Sequence, residues 1–172
     1  MDEIEYTYLA KHIPKDLAES DSKEIIDMYI PSLRMPLSLR IRKFGNKYEI
    51  TKKEPLDDKD VTHQTENTIP LTQKEYDVLM KSPGNISRKI RYYYNYKDAT
   101  AEIDVFQDKL EGLVLVEVEF ENKKEQNKFQ IPDFCLVEIT NENFIAGGSL
   151  AGKSYSDIKP DLKHFNYKKL SI

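Results

Sequence analysis

The sequence predicts an α+β fold that is mainly antiparallel β, an eight-stranded sheet closed into a tunnel-like barrel with a few peripheral helices. Two observations carry this prediction. Short segments that alternate charged and apolar residues recur along the chain, separated by Gly, Asn and Pro turn signals. Their charges are also sorted by sign, so that some segments carry two acids at i, i+2 and others two bases. A half-buried strand with one face in water explains any one such segment, but not the sorting. A closed barrel explains it, because the outer face is covered and the inner face forms one charged wall. Acids on that wall can hold a divalent cation, and bases can hold a polyanion.

The first strand reads Glu3-Ile4-Glu5-Tyr6-Thr7-Tyr8-Leu9. Successive side chains point to opposite faces, which separates Glu3 and Glu5 from Ile4 and Tyr6. Pro14 to Ser20 reads as a short helix or turn, with Pro14 suited to a first helical position. Strands follow at Ile25 to Ile30, ended by Pro31-Ser32, and at Leu37 to Phe44, where Arg40 and Arg42 flank Ile41. Gly45-Asn46 is a hairpin signal, and Lys47 to Lys53 returns with Glu49 and Lys53 in one phase. Glu54 to Thr62 is polar and acidic and reads as a mobile loop before a short strand at Gln64 to Ile69. Thr72-Gln73-Lys74-Glu75 is a capping box, and Tyr76, Leu79 and Met80 share a helical face. A helix over Thr72 to Lys81 follows, ended by Pro83-Gly84-Asn85.

Strands at Ser87 to Tyr96, Thr100 to Gln107 and Val114 to Glu121 carry Lys89 and Arg91, Glu102 and Asp104, and Glu117 and Glu119. Lys97-Asp98 and Leu110-Glu111-Gly112 turn the chain between them. Asn122 to Lys128 is charged and helical or looped, Pro132-Asp133 is a turn, and Cys135 to Thr140 is a strand. Short helices are expected near Ser149 to Tyr155 and Pro160 to Phe165. Gly147-Gly148-Ser149 with Gly152-Lys153-Ser154 superficially suggests a phosphate loop. The spacing is not that of a Walker motif and no buried strand feeds it. It reads as a loop into a short helix, a lid or plug at the barrel mouth. Tyr92, Tyr93, Tyr94 and Tyr96 are suited to covering a barrel wall or to stacking on a base.

A chain of 172 residues is most simply one domain, 1–172. Charged residues make up 33% and hydrophobic residues 39%, which suits a small barrel that is polar inside as well as outside. The formal net charge of −4 argues against a whole-protein field that recruits nucleic acid. The lone Cys135 excludes an internal disulfide and reads as a buried thiol. His12, His63 and His164 lack metal-ligand spacing. No stretch has the apolar length of a membrane helix, and the N-terminus is charged where a signal peptide is apolar. A cytoplasmic protein without a membrane partner, a monomer or homodimer, is expected.

The order and spacing of these motifs resemble the CYTH superfamily of triphosphate tunnel metalloenzymes over nearly the whole chain. Glu3-Ile4-Glu5-Tyr6-Thr7 stands at the Glu-x-Glu-x-Lys signature, Leu39-Arg40-Ile41-Arg42 with Tyr48 to Lys53 at the arginine strand and its partner, and Lys89-Ile90-Arg91-Tyr92 at the next basic strand. Glu102-Ile103-Asp104-Val105-Phe106, Glu117-Val118-Glu119-Phe120 and Val137-Glu138-Ile139-Thr140 look like the later acidic strands. The resemblance implies a tunnel of eight antiparallel strands that binds a triphosphate or nucleotide substrate with Mg²⁺ or Mn²⁺. By position, Glu3, Glu5, Asp104, Glu117 and Glu119 are implied metal-side residues, and Arg40, Arg42, Lys53, Lys89 and Arg91 implied phosphate ligands. Glu102 and Glu138 are further carry-overs. Glu5 or Glu119 is the implied carboxylate that orients the attacking water.

Two positions depart from the pattern. Thr7 replaces the signature lysine, and Gln64 sits where a glutamate often begins the fifth-strand pair completed by Glu66. Lys52, Lys109 and Lys153 are candidates to restore the lost charge. The expected function is metal-dependent hydrolysis of a triphosphate, most simply inorganic tripolyphosphate. Alternatives are a class IV adenylate cyclase or thiamine triphosphatase activity, and a non-catalytic polyphosphate- or nucleotide-binding module.

Overall fold

The alternating segments pair into one antiparallel sheet. The computed structural model describes residues 4–31, 39–57, 60–97, 99–120 and 122–171, with the side chains of 4, 53–57 and 60–66 outside the description. The strands are β1 (Ile4–Ala10), β2 (Ser22–Tyr29), β3 (Leu39–Phe44), β4 (Lys47–Asp57), β5 (Asp60–Leu71), β6 (Asn85–Tyr96), β7 (Ala99–Phe106), β8 (Val114–Phe120) and β9 (Cys135–Glu138). Four α-helices accompany them among the described residues: α1 (Gln73–Leu79), α2 (Lys123–Lys128), α3 (Gly147–Leu150) and α4 (Tyr155–His164). The sheet order is β5-β4-β3-β2-β6-β7-β8-β1-β9.

The expected eight-stranded closed barrel is here a nine-stranded sheet, with β5 and β9 at its ends and no ladder joining them among the described residues. The count rises because β9 pairs with β1 beyond β8, Leu9 facing Val137. The expected Glu54–Thr62 loop is also corrected. Strand backbone continues through Asp57 and resumes at Asp60, and the ladder runs from Tyr48↔Leu71 to Pro55↔Gln64. Pairing along a long hairpin satisfies backbone groups whatever the charge of the side chains.

One face of the sheet is apolar. Tyr8, Ile103, Val116 and Val118 are its centre, and Phe134 and Cys135 cap it. Cys135 is buried, and burial with nearby Asp133 pushes its thiol up to about 12, so it is inert. Tyr92, Tyr94 and Tyr96 pack on this face. Tyr93 alone of the four has the other phase. Near the far edge, α1 lays Tyr76 against Met28 and Ile41. It starts as expected at Thr72, whose hydroxyl accepts the Glu75 N–H while Glu75 accepts the Thr72 N–H.

The opposite face is charged except at one end. There Leu9, Phe106 and Leu115 are covered by Leu150 of α3 and Ile158 and Leu162 of α4. The glycine-rich tail thus covers one end of this face, but both its helices begin earlier than expected, at Gly147 and Tyr155 instead of Ser149 and Pro160. Ser154 and Asp157 form a capping box, with the Ser154 N–H donating to Asp157 at 2.7 Å. Pro160 sits inside α4 and forfeits one N–H bond. The tail is tied back by Tyr167, whose hydroxyl donates to the Gly112 carbonyl at 2.8 Å and accepts the Val114 N–H at 2.9 Å. Gly112 has φ +103, and a Cβ there meets Lys169 at 2.3 Å, so this turn requires glycine.

Candidate functional site

The charged face is assembled by register, because directly paired residues point to the same side. Glu5 faces Glu119 across β1 and β8. Thr7, Glu117, Glu102 and Tyr93 form the next row. Leu115, Asp104, Arg91 and Lys23 form another. Asp27 and Arg42 pair across β2 and β3, as do Tyr29 and Arg40. Acids on β1, β7 and β8 thus share one surface with bases on β2, β3 and β6.

The two signs are in contact. Arg91 donates to both oxygens of Asp104, each at 2.7 Å, and also reaches Glu102 and Glu117. Lys89 bonds Asp104 as well. Asp104 is 0% exposed. Burial alone favours its neutral form, but Lys89 and Arg91 outweigh that and hold its carboxyl below the usual range. A second clip lies on the adjoining strand pair, β2 and β3. Asp27, which no sequence motif marks, takes Arg42 through Nε at 2.6 Å and Nη2 at 2.8 Å. Arg40 Nε is 3.9 Å from the same carboxylate. It is buried and makes no hydrogen bond among the described residues. Such an orphaned cationic donor suits an incoming anion.

The acids nearest the uncovered end have less compensation. Burial pushes Glu5 up to about 7, reinforced by Glu117 and Glu119 and opposed by the Thr7 hydroxyl, which donates to Glu5 at 3.2 Å, and by Arg91. Burial likewise raises Glu102, against the pull of Arg91. Glu5, Glu117 and Glu119 are hard oxygen donors of the kind a divalent cation takes, but they are not gathered into one cluster. Among the described residues no three His, Cys, Asp or Glu side chains stand close enough together to hold a metal ion.

Not every expected residue joins this surface. Glu3 and the side chain of Lys53, like those of Gln64 and Glu66, lie outside the described residues. Glu138 pairs with Tyr8 and so falls on the apolar side, where it accepts the Thr140 hydroxyl at 2.9 Å. Lys52 has the phase of Ile50 and not of Thr51, so it does not replace the cation absent at Thr7. Lys109 lies on an exposed turn. Lys23, singled out by no motif, does lie on the charged face. Its ammonium sits 4.8 Å from the Phe44 ring centre and 5.4 Å from that of Tyr93. No helix among the described residues is long and apolar enough to cross a membrane.

The chain is 26% identical to an inorganic triphosphatase of Acetivibrio thermocellus over 131 residues, 71% of this chain and 76% of that protein. A crystal structure of an inorganic triphosphatase is 25% identical and superposes with a TM-score of 0.68, covering 89% of this chain and 96% of the other. A Bacillus halodurans structure of 13% identity shares the fold with a TM-score of 0.53, over 100% of this chain and 95% of its own. The CYTH domain model matches residues 1–142. The chain belongs to the CYTH domain family.

Proposed function

We propose that the protein is a metal-dependent triphosphatase whose preferred substrate is inorganic tripolyphosphate, acting as one domain over 1–172. The carrying observation is the register that sets Arg40, Arg42, Lys89 and Arg91 on one face with Glu5, Glu117 and Glu119. The names of the related triphosphatases support the same reading. In this reading the face curls into a tunnel, with Lys53 and Glu3 completing its basic and acidic sets. The arginines bind phosphate oxygens as planar forks and Lys89 as a point charge.

Glu5, Glu117, Glu119 and Glu3 would hold the cation, Mg²⁺ or Mn²⁺. When bound, that cation neutralises charge on the phosphate oxygens and on the acids themselves. Glu5 or Glu119 accepts a hydrogen bond from the attacking water and orients it toward the terminal phosphorus. The P–O–P bond to the leaving pyrophosphate breaks as the new P–O bond forms, and the water's proton is released. Asp104 is better suited to positioning than to metal binding, since Lys89 and Arg91 occupy its oxygens.

The test is phosphate release from tripolyphosphate, ATP and thiamine triphosphate, each with Mg²⁺ and Mn²⁺, beside a Glu5→Gln control. Metal-dependent release from tripolyphosphate that the control abolishes is expected. A second reading, a binding module without turnover, is favoured by Thr7 at the signature lysine position. It prevails if tripolyphosphate raises the melting temperature, nothing is released, and no cyclic AMP forms from ATP.

A further inference from the structure

Lys23, Phe44 and Tyr93 lie at the end of the charged face that the C-terminal helices leave uncovered. On β6, Asn85 is at the covered end, where it approaches Gly152, and Tyr93 is near the other end. On β2 and β3 the covered end has Tyr29, against Gly147, and the other has Lys23 and Phe44. A linear triphosphate lying along Arg40, Lys89 and Arg91 therefore has one end against the plug. Any organic substituent has to leave by the end that holds the two rings.

At that end a cation occupies the aromatic faces. The Lys23 ammonium is within cation–π range of both rings. Its stem passes over Gly45, where a Cβ would stand 3.7 Å from Lys23 Cγ and Cδ. Arg91 is ion-paired with Asp104, Glu102 and Glu117, Lys89 with Asp104, and Arg42 with Asp27. Lys23 has ring faces as its neighbours and no carboxylate within ion-pair reach among the described residues. Its charge thus remains available to a ligand. At the same time it covers the surfaces on which a purine would stack.

We propose that Lys23, Phe44 and Tyr93 form a selectivity subsite at the open end of the charged face. The Lys23 ammonium binds the outer phosphate of an inorganic triphosphate and withholds both rings from the base of a nucleoside triphosphate. This rests on the triphosphatase reading above and names the feature that selects its substrate.

The experiment compares wild type, Lys23→Ala, and Lys23→Ala combined with Phe44→Leu and Tyr93→Leu. Hydrolysis of tripolyphosphate and of ATP is measured with Mg²⁺, and their binding by calorimetry, on variants shown by circular dichroism to be folded. Lys23→Ala is expected to raise KM for tripolyphosphate about tenfold, the worth of one charge-assisted hydrogen bond, with kcat nearly unchanged. Its kcat/KM for ATP should rise by roughly fivefold through base stacking, and the double ring replacement should remove that gain. Equal losses on both substrates, no change on either, or an ATP gain that survives loss of the rings overturns the proposal. A protein that hydrolyses neither substrate but shows the same inversion in binding sinks the hydrolase reading and keeps the subsite. A hydrolase with an unmoved ratio does the reverse, and absence of both hydrolysis and binding overturns both.

Discussion

Asp27 grips Arg42 through both carboxylate oxygens, at 2.6 and 2.8 Å, from the strand beside it. Burial works against the Arg42 charge, but the bonds from Asp27 outweigh it and hold the guanidinium firmly protonated. The fork is thereby fixed in plane beside Arg40. Asp27→Asn keeps the shape and removes the charge. It should destabilise the protein by about 2 kcal/mol, the worth of a hydrogen bond to a charged group, read from the urea midpoint, and raise KM for tripolyphosphate more than it lowers kcat.

Asp104 serves two cations at once, so its loss leaves both short of charge. Asp104→Asn is expected to cost about 3 kcal/mol of stability, within the range for breaking a buried ion pair. Adding Lys89→Met should restore part of this, because the uncompensated buried ammonium is then gone. Equilibrium denaturation of the single and double variants checks the coupling. Simple additivity contradicts it.

Glu5 makes stability depend on pH. Its pKa is raised from 4.5 to about 7 on folding, so the folded protein keeps a proton that the unfolded chain has already lost. The Glu5 contribution to stability is then full below about pH 4.5 and is lost as pH rises through 7. Melting curves across that window should show the decline in metal-free protein, and Glu5→Gln should flatten it. Thr7→Lys should flatten it as well, by setting an ammonium beside Glu5 and Glu117.

Gly147 allows Tyr29 to reach the plug. A Cβ at Gly147 meets the Tyr29 hydroxyl oxygen at 2.4 Å, and the ring carbon behind it at 3.3 Å. Gly147→Ala should therefore lower the melting temperature by several degrees, at about 1–2 kcal/mol for an overpacked contact. Tyr29→Phe removes the clashing atom, and the double variant should recover most of the loss. Independent, additive effects rule out the contact.

Much of the site is legible in the sequence because strand alternation is local. Glu5, Arg40, Arg42, Lys89, Arg91, Glu102, Asp104, Glu117 and Glu119 all carry a like-signed partner two residues away within their own segment, or complete one. Asp27 and Lys23 carry no such mark. Asp27 is a lone acid between Ile26 and Met28, and Lys23 stands beside Glu24. Each becomes recognisable only when another strand brings Arg42, or Phe44 and Tyr93, against it. Glu138 shows the converse. Its motif fits the acidic pattern, yet pairing with Tyr8 turns it to the apolar side.

By itself, then, the sequence determined the antiparallel β class, the start of α1 and the sorting of charge by strand. These depend on a period of two and on capping within four residues, interactions between near neighbours. Only the tertiary structure decided which acids meet which bases, that β4 and β5 continue through a segment with the composition of a loop, and that the tail helices seal one end of the charged face. Those outcomes depend on register and packing between residues far apart in the chain. A shift of one position there exchanges the two faces of a strand without changing a single local signal.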